Sequence, residues 1–344
     1  MINKMPPLYR ALLLLLLLVS SGVQALPSVG FAEIRQDEHS ERPLDIALWY
    51  PTPAQAPLVA VADNPVLQGV PVIRNAAPAH GRHALIVMSH GYGGNWRNLS
   101  WLAYALARQG YIVASPNHPG TTTFNKDKQQ ARQSWQRPHD LSRVIDALAS
   151  NNIAGNIDAN RIAVIGHSLG GWTVIAASGG RFSPEQFKRD CESHPALKNC
   201  QLSEALGLDQ DQIEEDMRDP RIKAVVSLDA GLVRGFTPTS LERITIPSLI
   251  LAAGVDIANV PADLESGYLT HFLPAAHSHS VTLADATHFS FMQVCKPGAE
   301  GMLKEENPGD EIICHDGGTR ARTAIHDEIA KIVTHFFKRI FPDA

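Results

Sequence analysis

Short apolar runs and amphipathic stretches take turns along this chain. Residues 44–50 alternate as a strand closed by Pro51-Thr52-Pro53, and a Pro-, Ala- and Val-rich stretch to about Pro78 reads as irregular surface loop. The run 84–89 is continuously apolar and ends in His90-Gly91-Tyr92-Gly93-Gly94, the pattern of a buried strand feeding a glycine turn. Residues 101–108 have helical spacing, 111–114 form a short buried strand, and 138–150 place Leu141, Val144, Ile145 and Leu148 three and four apart on one helix face. Buried strands recur at 161–165, 224–228 and 248–252, and a small-residue helix follows at 171–177. An apolar run at 280–283 and a terminal amphipathic helix at 321–337 close the chain. Strand, helix and strand in alternation require parallel neighbours joined by crossover helices. The class is therefore α/β, a mostly parallel sheet covered by helices on both faces.

One segment interrupts the alternation. Residues 181–220 are polar and charged, carry Cys191 and Cys200, and are expected to form a helical insertion. An insertion here falls near the carboxyl ends of the strands, where it either caps a pocket or forms a solvated helical hairpin. No internal repeat and no second core is evident, so residues 26–344 are expected to be a single domain.

Ahead of that domain, Lys4 and Arg10 precede the apolar run 11–19 and a group of small residues ending at Ala25. This is the pattern of a secretory signal peptide, and it predicts a secreted or periplasmic protein after cleavage near Ala25. The run is shorter than the ~20 residues that span a bilayer, and no cysteine follows it to carry a lipid, so no stable membrane anchor is expected. Export places the four cysteines in an oxidising compartment. Two disulfides are expected, with Cys191–Cys200 and Cys295–Cys314 the sequence-near pairing among three connectivities.

Composition narrows the partners. With 44% hydrophobic and 19% charged residues the chain is globular rather than disordered. Lys and Arg total 30 against 35 Asp and Glu, a net charge of −5, which lacks the basic footprint of a nucleic-acid binder. No paired C-x-x-C suggests a structural zinc, and His277 with His279 lack a third ligand nearby, so neither metal nor organic cofactor is expected.

The chemistry gathers around Gly166-His167-Ser168-Leu169-Gly170. A G-x-S-x-G run directly after a strand and before a helix sets the serine on a sharp turn, where residues two before and two after must be small. A serine hydroxyl is a poor nucleophile at neutral pH and needs a base, which in turn needs an acid to orient it. The chain order Ser, acid, His places the base in Asp285-Ala286-Thr287-His288-Phe289, so His288 is the expected base. Asp229 ends one strand and Asp256 lies just beyond the next; burying a carboxylate at a strand tip is costly unless it is paired, which favours Asp229 and keeps Asp256 as the alternative. Backbone N–H groups of Leu169 and Tyr92 are the expected oxyanion donors, since the glycines around Tyr92 let main chain approach a substrate.

Several stretches resemble a known group. Ser89-His90-Gly91-Tyr92-Gly93-Gly94, residues 106–114, residues 162–171 and Ser227-Leu228-Asp229-Ala230 are similar to α/β-hydrolases of the platelet-activating-factor acetylhydrolase group and to bacterial "predicted dienelactone hydrolase" relatives. That resemblance implies the α/β-hydrolase fold across roughly residues 44–291 and an acid at Asp229. Secreted polyester hydrolases, also similar in outline, imply Asp256 instead. True dienelactone hydrolases carry a cysteine nucleophile, from which Ser168 departs. The expected function is a secreted serine hydrolase that cleaves small-molecule or lipid-like carboxylic esters through an acyl-enzyme. A serine peptidase or amidase and a non-catalytic binding protein are the alternatives.

Overall fold

The computed structural model describes residues 27–342; the expected leader segment and its cleavage point lie outside them. Ten strands form the sheet: β1 (Ser28–Gln36), β2 (Leu44–Thr52), β3 (Val59–Val61), β4 (Val70–Arg74), β5 (Arg82–Ser89), β6 (Ile112–Pro116), β7 (Asn156–His167), β8 (Ile222–Leu228), β9 (Ser248–Ala253) and β10 (Ser278–Leu283). Their order is β10-β9-β8-β7-β5-β6-β2-β1-β4-β3. From β10 to β6 every pairing is parallel, while β6–β2 and β2–β1 are antiparallel.

Parallel pairing demands crossovers, which α1 (Ser100–Ala107), α2 (Gln136–Ser150) and α3 (Leu169–Ala177) help to supply, while the terminal α6 (Arg322–Ile340) follows the last strand and packs on the sheet. The two faces of β5 show the logic. Leu85 and Val87 pack with Leu141, Val144 and Leu148 of α2, whereas Ala84, Ile86 and Met88 face Leu102 and Leu106 of α1 and Ile325 and Ile329 of α6. A strand buried on both faces is apolar along its covered length, which is why 84–88 reads as an unbroken run before Ser89.

Residues 51–78 differ from the irregular loop expected of them. They contain β3 and β4, which extend the sheet beyond β1, itself not marked by the hydrophobic pattern. Proline content hides β4, yet Pro71 lies outside the two positions, Ile73 and Arg74, that ladder with β1, so its missing N–H costs that pairing nothing.

The 181–220 segment carries two short helices, α4 (Pro184–Ser193) and α5 (Lys198–Gln201). Ser183 caps α4 by accepting from the Gln186 N–H, with Pro184 in the first turn, and the Cys191–Cys200 disulfide ties α4 to α5. Its far side is fixed to the loops that follow β8 and β9. The Lys198 N–H donates to Asn259 O, and Asn199 Nδ2 donates to buried Glu265 at 2.6 Å. The insertion thus sits at the carboxyl end of the sheet as a pinned wall. A second disulfide, Cys295–Cys314, closes the region after β10, so both sequence-near pairings are present.

Candidate active site

Strand β7 ends at His167, and Ser168 turns the chain into α3 with φ 56° and ψ −120°. Such a positive φ is strained for a non-glycine residue and holds only because the surroundings enforce it. A Cβ at position 166 would come within 1.9 Å of Gly170 O, and one at position 170 within 2.0 Å of Ser89 O. Glycine at both positions lets the elbow close and press against the end of β5. Ser168 has no capping hydrogen bond to its helix.

Asp229 follows β8 and is buried. Its Oδ2 lies 2.6 Å from His288 Nδ1, and its Oδ1 accepts the Ala253 N–H at 2.8 Å. A carboxylate only accepts, so Nδ1 carries the proton and Nε2 keeps the lone pair that can take one from a hydroxyl. Asp256 is exposed, and its Oδ1 accepts the Ala262 N–H within its own loop. Of the two candidate acids, the fold brings Asp229 to the imidazole. Ser168 Oγ makes no hydrogen bond among the described residues, an arrangement common before a substrate tightens the site.

His288 is held from two sides. His167 Nε2 donates to the His288 carbonyl at 2.9 Å, and the two rings lie 4.8 Å apart. Burial, with His288 beside it, pushes His167 down to about 3, so its ring is a neutral strut. Behind the turn, Thr287 and Ser290 form a reciprocal cap, and Ser290 Oγ donates to Asp316, which Arg322 also holds at 3.0 Å. His326 donates to Ser290 O and stacks on Trp101 at 3.7 Å. Sequence reasoning missed His167, Asp316, Arg322 and His326; only His167, inside the serine motif, carried a local signal.

The two expected oxyanion donors belong to the elbow and to the turn packed against it. The Leu169 N–H is the first of α3, where no intrahelical acceptor exists. Gly91 lies against the elbow, since a Cβ there would sit 3.0 Å from Ser168 Cβ, and Tyr92 follows it with its side chain half exposed. Among the described residues neither N–H has an acceptor. His277 and His279 are exposed on and beside the edge strand β10, away from this cluster. A cleft of about 630 Å³ lined by Glu33, Arg35, Trp96, Arg97, Phe124 and neighbours opens beside the oxyanion turn and contains none of the site residues.

The solved structure of a ferulic acid esterase from Streptomyces cinnamoneus superposes with a TM-score of 0.62 over 93% of this chain and 92% of that one, at 19% identity. The fold is that of the α/β-hydrolases. Within it, a family model described as PET hydrolase-like matches residues 55–183, which include Tyr92 and Ser168 and stop short of Asp229 and His288. Cutinase est1 of Thermobifida alba is 27% identical over 60% of this chain and 54% of its own length. Cutinase est2 of the same organism is 33% identical over 29% of this chain and 31% of its own length. A bis(hydroxyethyl) terephthalate hydrolase of Streptomyces coelicolor is 28% identical over 29% of this chain and 30% of its own length. The chain thus spans less than two thirds of the length of the curated relatives it matches. These likenesses bear on the α/β-hydrolase superfamily and on its cutinase and polyester-hydrolase members; the resemblance to acetylhydrolases and dienelactone hydrolases goes no further than the superfamily.

Proposed function

We propose that this α/β-hydrolase is an exported serine hydrolase of carboxylic esters that works through an acyl-enzyme. The observation that carries the reading is His288 Nδ1 locked on Asp229 at 2.6 Å, with the His288 carbonyl held by His167, the residue that precedes a serine at positive φ. In this scheme His288 Nε2 takes the Ser168 proton as Oγ attacks the acyl carbon, and Asp229 stabilises the imidazolium that results. Tyr92 and Leu169 N–H groups receive the oxyanion, where aimed donors favour the transition state over the ground-state carbonyl. The imidazolium then gives its proton to the departing alkoxide. Water, activated by the same nitrogen, attacks the acyl-serine and frees the carboxylic acid. Apart from that water and the ester, every group in the scheme is a side chain or backbone N–H of this chain.

Supporting the ester over the amide are the names of the similar proteins, all of them ester hydrolases. The acid is Asp229, in contrast to the position 256 that a polyester-hydrolase pattern implies. Two disulfides fit an oxidising compartment, hence export of a single domain beginning near residue 26. The test is a panel of p-nitrophenyl esters, a soluble terephthalate diester and an anilide, with phosphonate labelling located by mass spectrometry. Ester turnover abolished by labelling at Ser168 is expected. Turnover that survives full labelling of Ser168 rejects the mechanism, and faster anilide than ester cleavage replaces esterase with amidase.

A further inference from the structure

The oxyanion turn rests on a fully buried polar network that the mechanism above does not use. Arg137 of α2 sits at its centre. Its guanidinium donates to Thr173 Oγ1 at 2.9 Å, to Thr121 Oγ1 at 2.5 Å, to Ser89 Oγ at 3.2 Å and to the His90 carbonyl. Around it, Ser89 Oγ lies 2.9 Å from His118 Nε2, and His118 Nδ1 lies 2.9 Å from Asp140 Oδ2. This is a second serine, histidine and aspartate in series. It is no second active site, because all three side chains are wholly buried and the serine oxygen already accepts from Arg137. The arrangement has to be explained by what lies above it.

Above it is the His90 ring. The His118 N–H points at His90 Nε2 at 3.1 Å, so that nitrogen must accept and cannot carry a proton. Burial and the neighbouring Arg137 charge hold His90 well below its usual range, so the ring is neutral with its one proton on Nδ1. Nδ1 lies 2.8 Å from the Gly91 carbonyl oxygen, which therefore accepts from it. In a trans peptide the C=O of one residue and the N–H of the next point in opposite directions across one rigid plane. The peptide whose oxygen His90 grips is the one whose N–H belongs to Tyr92.

We propose that His90 is the positioning residue of the oxyanion hole: by holding the Gly91 carbonyl from below, its Nδ1–H aims the Tyr92 N–H up at the oxygen that gains charge beside Ser168. The proposal rests on the serine-hydrolase reading. Gly94 N–H also donates to Gly91 O, at 3.2 Å, so the plane has two restraints, and loss of one loosens it without releasing it. The rest of the turn is fastened independently, by Gly93 N–H on Thr121 O at 3.0 Å and Thr123 Oγ1 on Gly93 O at 2.7 Å. His90 therefore governs one peptide orientation while the loop around it stays in place.

The experiment compares the intact protein with His90→Ala, His90→Asn and His90→Gln on p-nitrophenyl butyrate, with thermal midpoints measured on each. Deleting an oxyanion donor outright costs about 10²–10³ in kcat, so misaiming one should cost about 10- to 100-fold in His90→Ala, with KM within about twofold. His90→Asn puts an amide N–H where Nδ1 was and should recover most of that loss. His90→Gln carries its amide too far along to reach Gly91 O and should not recover it. An unchanged kcat in His90→Ala, or equal losses in the Asn and Gln variants that track a lowered thermal midpoint, would overturn the proposal. If the alanine variant does not fold, the Asn and Gln pair decides it on the same criterion. Failure of the underlying reading shows separately, as wild-type turnover that Ser168→Ala leaves intact.

Discussion

Two constellations of serine, histidine and aspartate lie in this molecule, and only the buried one is a closed hydrogen-bond relay. In the core, Ser89, His118 and Asp140 are linked at 2.9 Å and 2.9 Å. At the sheet end, His288 meets Asp229 at 2.6 Å and its carbonyl is tied to His167, the chain neighbour of Ser168, whose own hydroxyl makes no hydrogen bond among the described residues. What else separates them lies around the relay. Ser168 stands on a strained elbow with two unengaged N–H groups before it, whereas Ser89 ends an extended strand and accepts from Arg137. His118 is enclosed, and burial together with the Arg137 charge pushes it down to about 3. A base that cannot hold a proton near neutral pH cannot pass one on. Asp140 shares its charge with Arg42, at 2.9 Å and 2.7 Å, while among the described residues Asp229 has no arginine or lysine partner and serves its histidine alone. Residue types and spacing make a relay; access, strain and surrounding charge make it reactive.

The sharpest way to break this comparison is at the two serines. Ser168→Ala should lower ester turnover by on the order of 10⁵-fold with an unchanged thermal midpoint, while Ser89→Ala should lose less than tenfold and destabilise by about 1–3 kcal/mol through its buried partners. Comparable losses of kcat in both variants would erase the distinction. The acids come next: Asp229→Asn should cost about 10⁴ in kcat by upsetting the imidazole tautomer, and Asp256→Asn less than threefold. Kinetics on the two purified proteins would reverse the assignment if the larger loss fell on position 256.

Asp140→Asn tests the core relay as structure. Breaking a buried ion pair leaves Arg42 and Arg137 short of countercharge, and urea unfolding should show a loss of about 3–5 kcal/mol while the folded enzyme keeps its turnover within tenfold. A further effect is on pH. His118, His167 and His326 are each pushed down to about 3, chiefly by burial, and His90 well below its usual range. The unfolded chain takes up these protons near pH 6.5 and the native one does not. Stability is then full above about pH 6.5 and falls as pH drops toward 3, by up to about 1.4 kcal/mol per pH unit for each such proton. Asp140, where burial is outweighed by hydrogen bonds from His118 and Arg42, sits at about 2, so its contribution is lost lower, between about 3.8 and 2. Urea midpoints equal at pH 7.5 and 5 would show that the histidines are not buried neutral.

The elements that could be read from sequence are those whose evidence is local. Strand β5 shows as an apolar run because both its faces are covered, and the elbow shows because Gly166, Ser168 and Gly170 meet a steric demand within five residues. The disulfides were legible because each joins cysteines close in sequence. Strands β3 and β4 were not, being short, proline-bearing and defined by partners rather than by a pattern of their own. Arg137 and Asp140 were hidden as well. They share a helix with the apolar stripe Leu141, Val144, Ile145 and Leu148, and nothing in helical periodicity tells a charged residue at its buried end from one facing water.

The sequence alone therefore determined the α/β class, the serine on its turn and the pool of histidines and acids from which a site could be drawn. Which members of that pool meet was decided only in three dimensions. Asp229 and His288 are 59 residues apart and converge because β8 lies two strands from β10 in the sheet. Asp256 is nearer in sequence to His288, yet its loop turns it to the Ala262 N–H instead. Hydrogen bonds and charge act over a few ångströms, and only the folded sheet sets which side chains come that close.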